Sequence, residues 1–223
     1  MNKRILLWGG LAAAMLLVVA VMYHFAQQDT TSPIPVKNTA AAAVNQNVES
    51  GILTVREDDW TKGNPDASVV VVKYSDFQCP ACRFYASMDD LLSREMADDV
   101  LFVYRHFPLR NFRFSMLAAQ YAEAAGRQDQ FWRMHDLIYI NQQHWARGDG
   151  EQIFREFAES LGLDMEQLDQ DLEDPALTER IQDDYRDGQR LGIRAVPTIY
   201  VQGQPVDGIS SIDEYRELIS SHL

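Results

Sequence analysis

Two cysteines, the only ones in the chain, stand three positions apart as Cys79-Pro80-Ala81-Cys82. Two thiols at that spacing on one helical turn can close a disulfide reversibly, because the bridge requires Cα atoms about 4.4–6.8 Å apart. A valine run at residues 69–72 precedes them and predicts a buried strand. If Cys79 begins the helix that follows, the unpaired N–H groups and the helix dipole favour its thiolate. The motif therefore predicts a redox centre.

A structural disulfide and a zinc site are the two alternatives to redox chemistry for the cysteine pair. A structural disulfide over so short a loop removes little entropy from the unfolded chain, and a chain of this size can bury its own core. Structural zinc takes four ligands, and the sequence has no second CxxC and no HxxxH. His106, His135 and His144 lie far from the cysteines and lack ligand spacing. We therefore expect redox use without a metal or another cofactor.

Residues 1–25 predict a membrane anchor. Lys3 and Arg4 precede an apolar stretch from Ile5 to Phe25, and about twenty helical residues span the hydrocarbon thickness of a bilayer. The two cations favour a cytoplasmic N-terminus, with the catalytic domain on the periplasmic or extracellular side of the cell membrane. A cleaved signal peptide is the alternative and would place the protein in the periplasm. Its apolar core is usually shorter, about 7–15 residues, and ends at a small-x-small site.

Residues 26–50 predict a flexible linker. They are rich in Gln, Thr, Ser, Pro, Asn and Ala and show no hydrophobic periodicity, so they cannot bury a core. A coil of this length reaches roughly 25–30 Å on average, which would keep the folded part near the outer face of the membrane. Disulfides persist in that compartment, so a CxxC there acts as an oxidant or is kept reduced by a dedicated partner.

The chain is acidic, with a formal net charge of −13 and a pI near 4.7. That charge argues against nucleic acid and anionic lipid headgroups as partners. Much of the acid lies in residues 149–187, where helical periodicity indicates solvated helix faces. No D-x-D-x-D-G run of a calcium loop is present.

Residues 51–223 have the size of one domain and predict the element order β, β-α-β, a block of helices, β-β, α. The βαβ unit consists of a strand at Val69–Tyr74, a helix at Cys79–Met96 and a strand at Val100–His106. Helices are predicted at 115–125, 128–140, 152–161, 165–172 and 176–191; Gly126, Gly162 and Gly192 end helices, and Asp164 and Asp174-Pro175 begin them. A strand at 198–201, a turn at 202–203, Val206 and a capping box at Ser211–Glu214 complete the chain.

Four stretches together resemble the DsbA-like branch of the thioredoxin superfamily. They are residues 63–67 (GNPDA), 74–82 (YSDFQCPAC), 105–109 (RHFPL) and 192–198 (GIRAVPT). CPxC after a strand, then helices, then VPT before a hairpin is a more specific pattern than a CxxC alone. The resemblance spans nearly all of residues 51–223 and implies an α/β thioredoxin fold with an all-helical insertion at about residues 112–191.

The resemblance also implies roles for the site residues. Cys79 is the nucleophile that forms mixed disulfides with client proteins, and Cys82, one turn deeper, is the resolving thiol. Stabilising the Cys79 thiolate stabilises the reduced form and makes the disulfide a stronger oxidant. Pro80 and Ala81 tune this stabilisation, and without a histidine between the cysteines we expect a milder oxidant than relatives that have one.

Pro197 corresponds to the superfamily's cis-proline, which places the backbone of Val196 beside the disulfide to pair with an extended client. A trans proline at a strand edge is the alternative. Val196 itself resembles the oxidase branch, because the isomerase branch tends to carry threonine at this position.

The chain departs from the family at Lys73, six residues before the nucleophile, where relatives often carry a buried acid. A cation beneath the site lowers thiol pKa values, whereas an acid raises them. Strand alternation places Lys73 on the same face as Ser75 and Phe77, with Asp76 on the other face. Asp76 could serve in proton transfer or only hold a turn, so the proton acceptor is left unassigned.

Several aromatic and histidine positions match the family without an evident chemical role. His106, Trp132 and His135 are interpreted as packing residues. An apolar client groove could consist of Phe77, Phe107 and Phe112, although phenylalanine is more often a core residue.

The function expected is that of a membrane-tethered oxidase that introduces disulfides into reduced, unfolded secreted proteins and is reoxidised by a quinone-linked, DsbB-like membrane protein. One alternative is a reductase or isomerase with the same thiols held reduced. Another is a client-binding chaperone or assembly factor whose thiols are incidental. Isomerases of the superfamily are usually dimeric, and this sequence has no separate dimerisation domain, so we expect a monomer.

Overall fold

The computed structural model describes residues 51–223. The predicted anchor at residues 1–25 and the predicted linker at residues 26–50 therefore lie outside the described residues. Within residues 51–223, no helix combines the length and the apolar character needed to cross a bilayer.

The described strands form one mixed sheet. They are β1 (Trp60–Gly63), β2 (Val69–Ser75), β3 (Val100–His106), β4 (Thr198–Val201) and β5 (Gln204–Val206), in the spatial order β1-β3-β2-β4-β5. β2 and β3 are parallel, with Val69 opposite Val100 and Ser75 opposite His106, and the other pairs are antiparallel. β2 lies at the centre of the sheet and is largely buried on both faces, which explains the run of four valines with which it begins.

Helices cover both faces of the sheet. In chain order they are α1 (Pro80–Glu95), α2 (Ser115–Gly126), α3 (Phe131–Ile140), α4 (Gln142–Trp145), α5 (Gly150–Ser160), α6 (Met165–Glu173), α7 (Pro175–Arg190) and α8 (Ile212–Ser220). α1 connects the parallel strands β2 and β3, and α2 to α7 lie between β3 and β4 in the chain. This is the thioredoxin core with a helical insertion, as the resemblance implies.

The helix ends follow local chemistry, with one clear departure from expectation. Asp164 and Asp174 cap α6 and α7 as predicted, each with its carboxylate accepting a backbone N–H. The helix predicted from residue 128 begins only at Phe131, because Asp129 takes a left-handed turn with φ 61° before Gln130 caps the helix. The short helix α4 was not predicted, since four residues carry no detectable periodicity.

Gly126 ends α2, as predicted, and it does so as the last helical residue without a positive φ. A Cβ at this position would lie 2.3 Å from two carbons of the Trp60 ring. That ring stacks on Phe131 with a centroid distance of 4.2 Å, and its Nε1 donates to Glu123 at 2.7 Å. The glycine therefore admits an indole from β1 against the insertion.

A buried charge network fastens the first described residues to the strand that carries His106. Arg105, in β3, has no exposed surface and donates two hydrogen bonds to Asp59, at 2.9 and 2.8 Å. It also donates to the backbone oxygens of Ile52 and Thr54. Because a buried guanidinium must have its donors satisfied, this network fixes the path of residues 52–59.

Candidate active site

The two cysteines lie at the junction of β2 and α1, Cys79 just before the helix and Cys82 in its first turn. Cys79 caps the helix in an extended conformation, and Pro80 is its first residue, where a missing N–H costs no hydrogen bond. The backbone amides of Ala81 and Cys82 lie in the first turn and contribute to lowering the pKa of Cys79. The expectation that Cys79 begins the helix is confirmed, and the unpaired amides of the first turn face its sulfur.

The two thiols differ in burial and in acidity. Both are free, with Cys79 7% exposed and Cys82 fully buried. Hydrogen bonding from the Cys82 thiol, followed by that from the amides of Cys82 and Ala81, lowers the pKa of Cys79 to about 7, although burial and the charge of Asp76 oppose this. Burial raises the pKa of Cys82 well above its usual value, and the hydrogen bond to Cys79 adds to this. At neutral pH the outer sulfur is thus the one that ionises.

The Val196–Pro197 peptide bond is cis, as the resemblance implies. The Cys79 sulfur lies 3.5 Å from the carbonyl oxygen of Val196, to which its S–H donates. Pairing of Tyr74 with Thr198, at the start of β4, brings these residues to the end of β2. The backbone of Val196 therefore lies beside the reactive sulfur.

Asp76 organises the loop beneath the thiols. Its side chain is buried and accepts hydrogen bonds from the Gln78 amide at 2.6 Å, the Leu109 amide at 2.6 Å and the Ser115 hydroxyl at 2.7 Å. Its own backbone amide donates to the Cys82 sulfur at 3.5 Å. Burial raises the pKa of Asp76 above its usual value despite these donors. Asp76 was expected either to transfer protons or to hold a turn, and these hydrogen bonds support the second role.

Lys73 is buried on the α1 side of the sheet and forms an ion pair with Asp89 of α1. Its ammonium also lies 5.9 Å from the centroid of the Tyr104 ring. The expectation of an uncompensated cation beneath the site is therefore wrong, because Asp89 supplies the opposite charge at contact distance.

The hypothesis of a phenylalanine groove is wrong for Phe77 and Phe107, while Phe112 is half-buried. Phe77 and Phe107 are only 1% and 3% exposed. Phe77 packs between Tyr104 and Tyr139, and Phe107 stacks on Tyr185. Residues so deeply buried offer no surface to a client.

His106 and His135 pack in the interior and Trp132 packs half-buried beside them, as interpreted, and all three also make specific polar contacts. The His106 ring shares a 2.8 Å hydrogen bond with Glu123 behind Phe77. The His135 ring packs edge-on against Trp132, whose indole N–H donates to the backbone oxygen of Thr61 at 2.8 Å. Burial lowers the pKa of His135 to about 4, so this ring is neutral at physiological pH.

Sequence reasoning missed the polar side chains that hold the catalytic loop. Gln142 donates to the backbone oxygens of Phe77 and Cys79 at 2.7 and 2.9 Å. Ser75 and Tyr139 share a 2.8 Å hydrogen bond between their hydroxyls. Gln142 and Tyr139 belong to the insertion, more than sixty residues from their partners, and no local signal marks them.

Residues 51–223 contain no cluster of three or more His, Cys, Asp or Glu side chains placed to hold a metal ion.

Comparisons with known proteins place this arrangement in a family. A family model described as thioredoxin matches residues 55–221. The fold is similar to that of α-DsbA1 of Wolbachia pipientis, with a TM-score of 0.69 and 17% identity over 78% of this chain and 94% of that one. It is also similar to a thioredoxin-like oxidoreductase from Silicibacter pomeroyi DSS-3, with a TM-score of 0.66 and 26% identity over 79% of this chain and 96% of that one.

Curated sequence relatives include much longer proteins. The chain is 35% identical over 151 residues to the Na(+)/H(+) antiporter NhaA 1 of Mycolicibacterium gilvum, which is 66% of this chain and 24% of the antiporter. The chain thus spans about a quarter of the length of the curated relatives it matches. The family-model match over residues 55–221 shows that the chain belongs to the thioredoxin family, and its fold is similar to that of the DsbA structures.

Proposed function

We propose that this protein is a disulfide oxidase that acts outside the cytoplasm on reduced secreted proteins. The observation that carries the proposal is the difference in exposure and in thiol pKa between the two cysteines. Cys79 has a lowered pKa and the greater exposure, whereas Cys82 is fully buried with a raised pKa. A pair arranged in this way can hold a client on the outer sulfur of Cys79 while the inner sulfur of Cys82 leaves and is protonated.

The exchange proceeds in two balanced steps. A client thiolate attacks Cys79 of the disulfide form, the Cys79–Cys82 bond breaks, and Cys82 leaves as a thiolate that takes up a proton. A second client thiolate then attacks the client sulfur of the mixed disulfide and displaces Cys79 as a thiolate. The client loses two electrons and gains a disulfide, and the protein is reduced to the dithiol.

The direction of electron flow depends on how strongly the dithiol form is stabilised. The hydrogen bonds to the Cys79 sulfur stabilise its thiolate and hence the reduced protein, which strengthens the disulfide as an oxidant. A thiol with a pKa of about 7 is roughly half ionised at neutral pH. Strong oxidants of this fold reach about 3.5, so we propose a mild oxidant.

A reductase is the second candidate, and the same pKa favours it. Thioredoxin, which reduces disulfides, has a nucleophilic thiol with a pKa of about 7, the value found for Cys79. Val196 before the cis-proline, which resembles the oxidase branch, favours the first candidate. The reduction potential separates the two.

The proposal includes a location and partners. The apolar stretch from Ile5 to Phe25 would hold the protein in the cell membrane as a single-pass anchor, with residues 51–223 outside the cytoplasm. Unfolded secreted proteins would be the clients, and Val196 and Pro197 would pair with their extended chains. A quinone-linked membrane protein would reoxidise the dithiol, and the oxidase would act as a monomer.

The proposal is tested by mixing the oxidised full-length protein with an equimolar reduced peptide that contains two cysteines. We expect the peptide to lose two hydrogens in mass while Cys79 and Cys82 become accessible to a thiol reagent. The Cys79→Ala variant should transfer nothing. If that variant still prevents aggregation of an unfolded client while the parent protein oxidises no peptide, the chaperone alternative replaces the oxidase.

A further inference from the structure

Several arginines of the described residues have no acidic partner. Both described lysines and most described arginines form an ion pair with an aspartate or glutamate. The described arginines and lysines that form none are Arg83, Arg110, Arg113, Arg133, Arg147 and Arg194. In a chain with a net charge of −13, acids are plentiful, so the position of these unpaired cations is informative.

Two of them belong to segments in contact with the reactive sulfur. The Arg83 amide donates to the Cys79 carbonyl at 3.2 Å, so Arg83 lies one helical turn beyond the nucleophile. Arg194 is exposed and stands two residues before Val196, whose carbonyl oxygen is 3.5 Å from the Cys79 sulfur.

Two more belong to the loop between β3 and α2. Arg110 and Arg113 are both exposed. The residue before Arg110 donates its amide to Asp76 at 2.6 Å, and the residue after Arg113 donates its amide to the Gln78 side chain at 2.8 Å. This loop is therefore fastened directly to the turn that carries Cys79. We call Arg83, Arg110, Arg113 and Arg194 the arginine rim.

The segments that carry the arginine rim contain no acid. Residues 77–88, 107–122 and 188–206 include no aspartate or glutamate. The carboxylate nearest to Cys79 in sequence is that of Asp76, which is buried and already accepts three hydrogen bonds. The three segments next to Cys79 therefore carry arginines and no acid, although the protein as a whole is strongly acidic and the groove along α1 that begins at Pro80 and Arg83 also has Asp90 and Asp136 in its lining.

We propose that the arginine rim recognises carboxylates on the client, so that extended client segments with acidic side chains near their cysteine react preferentially. Guanidinium groups pair with carboxylates in a bidentate geometry, and a local cationic surface accelerates the encounter with an anionic segment. This inference rests on the proposed function, because it assumes that Cys79 exchanges disulfides with polypeptides. The net charge of −13 alone would give the opposite preference, for basic segments.

The test compares two peptides that differ only in the charge of the residues flanking their single cysteine, glutamates in one and lysines in the other. Stopped-flow kinetics measures their reaction with the oxidised full-length protein. Each rate is divided by the rate of the same peptide with a small neutral disulfide, because flanking charges alter the peptide thiol itself. We expect the acidic peptide to react about tenfold faster at low salt, with the advantage shrinking as salt screens the charges.

Variants localise the effect. Arg113→Glu and Arg194→Glu should each reduce the acidic preference severalfold. Arg133→Glu makes the same charge change on the exposed side of α3, at an arginine that hydrogen-bonds Gln130, and should leave the preference intact. A preference for the basic peptide, or an equal loss in all three variants, would overturn the inference while leaving the oxidase proposal standing. No exchange with either peptide or with a neutral one would instead refute the proposed function.

Discussion

The Asp76 carboxylate accepts a hydrogen bond from the Leu109 amide over 2.6 Å, and so joins the turn before Cys79 to the loop after β3. The two residues are 33 positions apart, and the same carboxylate holds Gln78 and Ser115. Its charge also acts on the chemistry, because it raises the pKa of Cys79. The buried Asp76 carboxylate therefore holds the geometry of the site and also disfavours the Cys79 thiolate.

Replacing Asp76 with asparagine should change two quantities that can be measured independently, the free energy of unfolding and the pKa of Cys79. We expect Asp76→Asn to lower the free energy of unfolding by about 1–3 kcal/mol, because the three donors are held by both carboxylate oxygens and asparagine offers only one acceptor oxygen. The pKa of Cys79 should fall below about 7, since the nearby negative charge is gone. Denaturant titration and ultraviolet titration of the thiolate measure the two effects. A rise in the pKa of Cys79 would show that the loop geometry, rather than the charge, dominates.

The acidity of Cys79 should depend on a hydrogen-bond donor at position 82. In Cys82→Ala the pKa of Cys79 should rise from about 7 towards the ordinary value of about 8.5, because the largest stabilising contribution is removed. Cys82→Ser is the matched control, since its hydroxyl can still donate, and should keep the pKa nearer to 7. Equal values in the two variants would contradict this role of the thiol. Both variants should also trap clients as mixed disulfides.

The Lys73–Asp89 pair should matter for stability and little for the thiols. Lys73→Met leaves a largely buried carboxylate without its partner and should cost about 3–5 kcal/mol, whereas Lys73→Met/Asp89→Leu should recover most of that loss. Because the pair is neutral as a whole, the double variant should keep the pKa of Cys79 within about half a unit. A larger upward shift would mean that Lys73 does act on the thiols as a cation.

His135 predicts a loss of stability in mild acid. Its pKa is lowered to about 4 in the folded protein, so between that value and about 6.5 the unfolded chain binds the additional proton and stability decreases as the pH falls. Between pH 7 and pH 5 the loss should be about 2 kcal/mol. His135→Phe should flatten this slope, while the exposed His144→Gln should not. Unfolding curves across the pH range provide the measurement, and an unchanged slope in His135→Phe would contradict the assignment.

The parts of this structure that local sequence determines could be predicted. β2, the start of α1 at Cys79 and the caps Asp164 and Asp174 each depend on residues within a few positions. The cis bond before Pro197 was implied by the family resemblance, since proline alone permits but does not require it.

The parts that long-range packing determines could not be predicted. The sequence leaves Phe77 open as a client-groove residue or a core residue, and aromatic side chains from β3 and the insertion decide for the core by burying it. Lys73 was treated as a free cation because its partner, Asp89, is sixteen residues away on a helix whose rotation was unknown. The three donors to Asp76 come from different elements, and no pattern in the sequence brings them together.

The reduction potential of the Cys79–Cys82 couple in the full-length protein, measured by equilibration with glutathione buffers, tests the central claim most directly. Our account predicts a mild oxidant with a potential between about −150 and −200 mV, high enough to oxidise thiols whose structural disulfides lie below about −300 mV. A potential of about −250 mV or lower would contradict the oxidase and make the protein a reductase.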